Sequence, residues 1–207
     1  MDNFYISEIF WSAQGEGERV GIPSVFLRMA GCSLKCDYCD TKYSWKNGSI
    51  FTIDEIIDKI EELMVKNSGI SQVVITGGEP LEQDIFPIIN FLRKKKIFVA
   101  IETNGIHNIK TDVDWMTVSP KDVNGYKINP LIYKKINEIK LIVNKNLTVE
   151  IVKDFYSSVN NIPIFLQPQH FEELRFRNTY KFYTDCILEG IKSARLGFQM
   201  QNFYGIK

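Results

Sequence analysis

Val73-Val74-Ile75-Thr76-Gly77-Gly78-Glu79-Pro80 runs three β-branched apolar residues into an abrupt, glycine-rich turn. A continuous apolar run this short reads as a strand buried on both faces, as in a parallel sheet. Upstream, Ile53, Ile56, Ile57, Ile60, Leu63 and Met64 follow the 3.6-residue period of a helix. Thr52 and Glu55 have the spacing of a capping box at its start. Downstream, Ile85, Ile88, Ile89 and Leu92 line one face of a second helix. The basic run Arg93–Lys96 suits that helix's end, where cations are favoured.

Working outward, the pattern predicts strands at Phe4–Phe10 and Val25–Met29, separated by a polar turn from Ser12 to Pro23. Further strands are predicted at Ile97–Ile101, Met116–Val118, Lys140–Val143, Ile162–Leu166 and Gly197–Met200. Helices are predicted at Pro130–Ile136, Val149–Val159 and Tyr180–Ser193. This alternation specifies an α/β protein with a mostly parallel sheet covered by helices. The chain is too short for eight full units, so a partial, open β/α barrel is expected, one domain over residues 1–207. In such folds ligands bind at the carboxyl ends of the strands.

Twenty-five basic residues balance twenty-five acidic ones. That argues against a nucleic-acid footprint, which needs clustered Lys and Arg, and favours a small-molecule partner. The opening segment MDNFYISEIFWSAQGEGE lacks a basic region followed by an apolar run, and no stretch reaches the ~18 apolar residues of a membrane span. A soluble cytoplasmic protein is expected.

Three of the four cysteines crowd into Gly31-Cys32-Ser33-Leu34-Lys35-Cys36-Asp37-Tyr38-Cys39-Asp40-Thr41. Thiolates at this loop spacing bind zinc or an iron–sulfur cluster. Structural zinc would need a fourth ligand from Cys186, His107 or His170. Three ligands suit a four-iron cluster that leaves one iron open to a small molecule. Cys186, beside Ile187 and Leu188 in a predicted helix, reads as an apolar filler.

Polar motifs recur just after the predicted strands. In Gly77-Gly78-Glu79-Pro80, paired glycines permit close backbone approach and positive φ, and Glu79 can accept hydrogen bonds from a ligand ammonium group. Glu102-Thr103-Asn104-Gly105, Ser119-Pro120-Lys121 and Gln167-Pro168-Gln169-His170 close later strands. Lys121 suits a ligand carboxylate and Ser119 can donate to it, although the triplet alone is an ordinary proline turn.

The cysteine spacing, with Tyr38 just before the last cysteine and the Gly-Gly-Glu-Pro turn following, resembles the radical S-adenosylmethionine superfamily. The resemblance implies a [4Fe–4S] cluster on Cys32, Cys36 and Cys39, with S-adenosylmethionine chelated to the open iron and cleaved to a 5′-deoxyadenosyl radical. It also implies cofactor contacts from Tyr38 at the adenine and from Asp40, Gly78, Glu79, Glu102, Asn104, Ser119, Lys121, Gln167 and His170.

Ile9-Phe10-Trp11-Ser12-Ala13-Gln14-Gly15-Glu16-Gly17 and Gly21-Ile22-Pro23-Ser24-Val25-Phe26-Leu27-Arg28 narrow the resemblance to the 7-carboxy-7-deazaguanine synthase family. Its most specific parts are residues 9–41, 76–80, 119–121 and 167–170. The implied reaction takes 6-carboxy-5,6,7,8-tetrahydropterin to 7-carboxy-7-deazaguanine with loss of ammonia, a step towards queuosine. Hydrogen abstraction at C6 is followed by ring contraction. The implied substrate contacts are Ala13, Gln14, Gly15, Glu16, Arg28, Thr76, Gln201 and Lys207. Arg28 offers a planar fork for the carboxylate, and Gln14 and Glu16 read the pterin edge. Thr41 is implied as a Mg²⁺ ligand, an electron donor such as a flavodoxin as partner, and a homodimer as the assembly.

One residue departs from the family pattern. Gln199-Met200-Gln201 stands where Gln-x-His is expected, and glutamine hydrogen-bonds but takes up no charge near neutral pH. Rival readings are another radical enzyme, such as a glycyl-radical activase, and a zinc-binding interaction module.

Overall fold

The computed structural model describes residues 3–46, 48–159, 162–170 and 172–207. Their strands and α-helices are β1 (Asn3–Ala13), β2 (Pro23–Met29), β3 (Ser49–Thr52), α1 (Ile53–Lys66), β4 (Gln72–Gly77), α2 (Phe86–Lys94), β5 (Phe98–Thr103), β6 (Trp115–Val118), β7 (Glu138–Val143), α3 (Val149–Ser158), β8 (Ile164–Pro168), α4 (Glu173–Leu188), β9 (Ala194–Leu196) and α5 (Met200–Tyr204). The strands form one open sheet in the order β3-β1-β2-β4-β5-β6-β7-β8-β9. From β2 to β9 every pairing is parallel, while β1 runs antiparallel to both of its neighbours. The expected partial β/α barrel is therefore the observed fold.

The two sheet faces differ because side chains alternate along each strand. One face presents Val25, Leu27, Val73, Ile75, Val99, Ile101, Met116, Ile139 and Leu141, all fully buried. They pack in one core with Ile56 and Ile60 of α1, Ile88, Ile89 and Leu92 of α2, Val152 of α3 and Cys186 of α4. Each such side chain contributes about 1.5–3 kcal/mol of burial. The opposite face carries a small apolar layer, Phe26, Val74 and Ala100 with Phe10, Phe98 and Trp115. Arg19 closes it at the strands' amino-terminal end, its guanidinium 4.0 Å above the Phe98 ring and its Nε donating to Gln72 Oε1 at 2.7 Å. Two residues beyond that layer, the same face turns polar with Arg28, Thr76 and Glu102.

Local signals explain most element ends. The predicted capping box forms at α1, with Glu55 N–H donating to Thr52 Oγ1 and Thr52 N–H donating to Glu55 Oε2 at 2.7 Å. Such a cap stabilises a helix by about 1 kcal/mol.

Several expected boundaries move. The polar turn shortens to residues 14–22, because Gly21 N–H donates to the Gln14 carbonyl and Gln14 N–H to that of Ile22. Edge strand β3 was not expected. Residues 130–136 form a short 3-10 turn, Pro130–Lys135, started by Asn129 Oδ1 accepting from Leu131 N–H, instead of an α-helix. The helix expected at Tyr180–Ser193 is α4, which starts seven residues earlier, at Glu173, and stops at Leu188. Its first half is too polar to show a helical stripe, and the chain turns at Gly190 with φ +82°. The strand expected at Gly197–Met200 is instead β9, three residues upstream. Met200 N–H donates to the Gly15 carbonyl at 2.9 Å, which draws the chain off the sheet and into α5. No helix among the described residues is long and apolar enough to cross a membrane.

Candidate active site

A cavity of about 290 Å³ opens at the carboxyl ends of the parallel strands. Every residue expected to contact cluster, cofactor, Mg²⁺ or substrate lines it.

The cysteine loop leaves β2 and folds against the Gly-Gly-Glu-Pro turn that leaves β4. Glu79 N–H donates to the Gly31 carbonyl at 2.7 Å, and Gly78 N–H to that of Met29 at 3.0 Å. A Cβ on Gly78 would lie 1.9 Å from the Gly31 carbonyl oxygen and 3.2 Å from Cys32 Cβ. Glycine at 78 is therefore what allows the two motifs to meet. Burial pushes the Cys32 and Cys36 thiols up, although the Lys121 ammonium favours the Cys36 thiolate. Among the described residues no three His, Cys, Asp or Glu side chains converge on a single-ion site. Of zinc's candidate fourth ligands, Cys186 lies in the core and His107 does not line the cavity, which leaves exposed His170.

Beyond the cysteines the wall carries polar atoms that protein groups leave unmatched. Asn104 Nδ2, both polar atoms of Gln167 and Gln201 Oε1 are buried without a partner among the described residues. An unmade buried hydrogen bond costs about 1–3 kcal/mol, so these positions suit a polar ligand. Lys121 donates to Ser119 Oγ at 2.7 Å and forms no salt bridge among the described residues. Burial, then Lys140, push its pKa down, the setting of a cation that awaits an anion. Glu79, 1% exposed, accepts from Thr103 Oγ1 (2.6 Å), Leu81 N–H (3.0 Å) and Asn104 N–H (2.7 Å). It braces the ends of β4 and β5 and keeps one acceptor position in reserve.

The opposite end of the cavity holds the residues expected to read the substrate. Glu16 pairs with Lys140, and its Oε1 accepts from Gln199 Nε2 and Gln201 Nε2, both at 2.9 Å. Burial alone would raise the Glu16 carboxyl, but the Lys140 ammonium and the two amides outweigh it and hold it at about 2. The same pairing pushes Lys140 up against its own burial. Arg28 Nε donates to Glu8 at 2.8 Å, while Tyr43 Oη at 2.7 Å and Lys207 Nζ share that carboxylate. Ser12 Oγ donates to the Lys207 main-chain oxygen at 2.6 Å. Ala13 and Gly15 flank Gln14 on the same wall.

Glu102 differs from its expected setting. It was grouped with the cofactor contacts, yet it accepts from Gln14 Nε2 at 3.0 Å and Thr76 Oγ1 at 3.1 Å and faces Lys140. Strand alternation is the cause, since it turns Glu102 to the polar face and Thr103 towards Glu79. Lys140 and Gln199 were not anticipated as site residues. The signal for Lys140 was present in Glu138-Ile139-Lys140, where two charges at period two mark one face of an apolar strand.

With this geometry in place, the comparisons with known proteins agree. The radical SAM superfamily model matches residues 26–155, which include the cysteine loop and the three strand-end turns that follow it. Fold and loop together define a radical SAM protein. A 7-carboxy-7-deazaguanine synthase of Rickettsia prowazekii (strain Madrid E) is 34% identical, over 98% of this chain and 88% of that protein. One from Buchnera aphidicola subsp. Schizaphis graminum is also 34% identical, over 98% of both chains. The crystal structure of QueE from Escherichia coli superposes with a TM-score of 0.77 at 28% identity, over 96% of this chain and 94% of that one. The chain belongs to the 7-carboxy-7-deazaguanine synthase family. The rival zinc module and glycyl-radical activase are not favoured by any of these matches.

Proposed function

We propose that this protein makes 7-carboxy-7-deazaguanine, the product its relatives' names give, from 6-carboxy-5,6,7,8-tetrahydropterin with loss of ammonia. The observation that carries this reading is a single cavity walled by three cysteines at one end and by Gln14, Glu16, Arg28, Thr76 and Glu102 at the other. When bound, the cluster and S-adenosylmethionine supply the radical chemistry that starts the reaction at C6.

The chain's own residues bind and orient. Ionised Glu16 accepts from the donor edge of a pterin, and Gln14 adds an amide beside it. Arg28 spends its Nε on Glu8, and its remaining N–H groups suit the substrate carboxylate. Lys121 and Ser119 suit the cofactor carboxylate, Glu79 and Gly78 its ammonium side, and Asn104, Gln167 and His170 its remaining polar groups. Tyr38 and Asp40 stand at the cysteine loop, where the adenine is expected. Thr41 would offer its hydroxyl to a Mg²⁺ ion, which would supply a positive charge for substrate oxygens. Gln201 and Lys207 border the substrate end.

A flavodoxin-type donor, a homodimer and a cytoplasmic setting belong to the same reading. Exposed Phe203 and Tyr204 of α5 meet edge to face, Phe198 tilts against Phe203, and these three rings support a partner surface. The test is anaerobic incubation of reconstituted, reduced enzyme with S-adenosylmethionine and the carboxypterin. A deazapurine product is expected by mass spectrometry. Cofactor cleavage without that product would remove the substrate assignment.

A further inference from the structure

The aromatic residue of the cysteine loop is tied down from outside that loop. Tyr38 Oη donates to Asp122 Oδ1 at 2.6 Å. Asp122 Oδ2 accepts from Asn144 Nδ2 at 2.9 Å and from Asn146 Nδ2 at 2.7 Å. Asn144 Oδ1 in turn accepts the backbone N–H groups of Asn146 and Leu147. Loops that leave β2, β6 and β7 at the same sheet edge thus meet on one carboxylate. Asp122 opens a 3-10 turn immediately after Ser119-Pro120-Lys121, so the network also joins the cysteine loop to the residues suited to the cofactor carboxylate.

A phenol has a single proton to donate. Tyr38 sits between Cys36 and Cys39 in the same loop, yet the structure gives its proton to Asp122. A hydrogen bond donated to a cluster sulfur stabilises the extra electron of the reduced state and moves the potential upward. Which acceptor holds the Tyr38 proton therefore bears on the cluster's redox poise.

We propose that Asp122 is a positioning residue that captures the Tyr38 hydroxyl, pins the cysteine loop to the turn after β6 and keeps that proton off the cluster sulfurs. The proposal rests on the iron–sulfur reading of Cys32, Cys36 and Cys39.

The test is a double-mutant cycle on the cluster's midpoint potential, followed by electron paramagnetic resonance in the full chain. Tyr38→Phe alone is expected to leave the potential nearly unchanged, because the lost hydroxyl was aimed at Asp122. Asp122→Ala is expected to raise it. Adding Tyr38→Phe to Asp122→Ala is expected to bring it down again, because the freed phenol is then removed. Loss of the Asp122 charge is common to both arms of that last comparison and cancels. If Asp122→Ala does not fold, Asp122→Asn serves in the same cycle, with a smaller shift of the same sign. A Tyr38→Phe effect equal in the two backgrounds overturns the proposal. Wild-type protein that takes up no cluster overturns it together with the reading beneath it, and the two failures are told apart by that first spectrum.

Discussion

Glu16 and Lys140, 124 residues apart in the chain, form an ion pair whose side chains are only 12% and 13% exposed. It joins the turn after β1 to the middle of β7, across the mouth of the open sheet. Its value lies in fixing Glu16 as an anion inside a partly dry cavity. Removing one partner of such a pair costs about 3–5 kcal/mol, because the other charge is left stranded. Lys140→Met is therefore expected to lower the urea midpoint strongly. Glu16→Gln combined with Lys140→Met should recover most of the loss. A double variant as unstable as the single would mean that Lys140 acts through packing alone.

The same pair predicts a pH dependence. The Glu16 carboxyl is held at about 2 in the folded protein, below its ordinary 4.5. A depressed carboxyl stabilises the fold above its unfolded pKa, and that contribution fades as pH falls from about 4.5 towards 2. The displacement corresponds to about 3 kcal/mol, present in full at neutral pH. Denaturation of wild type and Glu16→Gln at pH 7 and pH 3 checks it. The gap between them should shrink at the lower pH, and a constant gap would contradict the assignment.

The cysteine ligands predict a cleaner separation of fold from chemistry. Cys36→Ala removes one thiolate from a loop that Gly31, Ser44 and Glu79 already hold by backbone hydrogen bonds. The variant should keep its circular dichroism but lose the visible absorption of the cluster and all S-adenosylmethionine cleavage. Retained cleavage would show that Cys36 is not a ligand.

How much of this was legible depends on whether the information was local. Val73–Ile75 and Thr52 with Glu55 carry their meaning within a few residues, and the structure follows them. Phe198-Gln199-Met200 alternates as a strand does, but a hydrogen bond to Gly15, at the other end of the chain, bends it away. Glu102 meets Gln14 and Thr76 while its neighbour Thr103 meets Glu79, because a motif gives adjacency along the chain whereas alternation decides which face each side chain meets. Lys140 and Asp122 escaped notice for a related reason. Each draws its role from partners on distant loops, Glu16 for one and Tyr38, Asn144 and Asn146 for the other.

Arg28 predicts a split between binding and cofactor cleavage. Its Nε is engaged by Glu8, so the guanidinium is oriented before any ligand arrives. A charge-assisted hydrogen bond contributes about 1.5–3 kcal/mol, roughly 10–100-fold in affinity. Arg28→Ala should raise the KM for the carboxypterin by that factor while sparing uncoupled S-adenosylmethionine cleavage. Arg28→Lys should rescue little, because an ammonium cannot serve Glu8 and a planar carboxylate together. Unchanged KM in Arg28→Ala would remove its substrate role.

Gln201 stands where the resemblance leads one to expect histidine, and its setting says what glutamine does there. Its amide nitrogen reinforces Glu16 at 2.9 Å, while its oxygen is buried and unmatched. Glutamine thus offers an acceptor to the cavity whose state does not change near neutral pH. Gln201→His keeps a ring N–H for Glu16 and introduces a group that titrates near pH ~6.5, moved upward by the adjacent carboxylate. Substrate affinity in wild type should therefore be flat between pH 6 and pH 8 (approximate bounds set by the ordinary histidine range), whereas Gln201→His should acquire a pH-dependent step there. Isothermal titration at several pH values reads both. A step already present in wild type would place the titrating group elsewhere, and its absence in the variant would mean that residue 201 does not face the ligand.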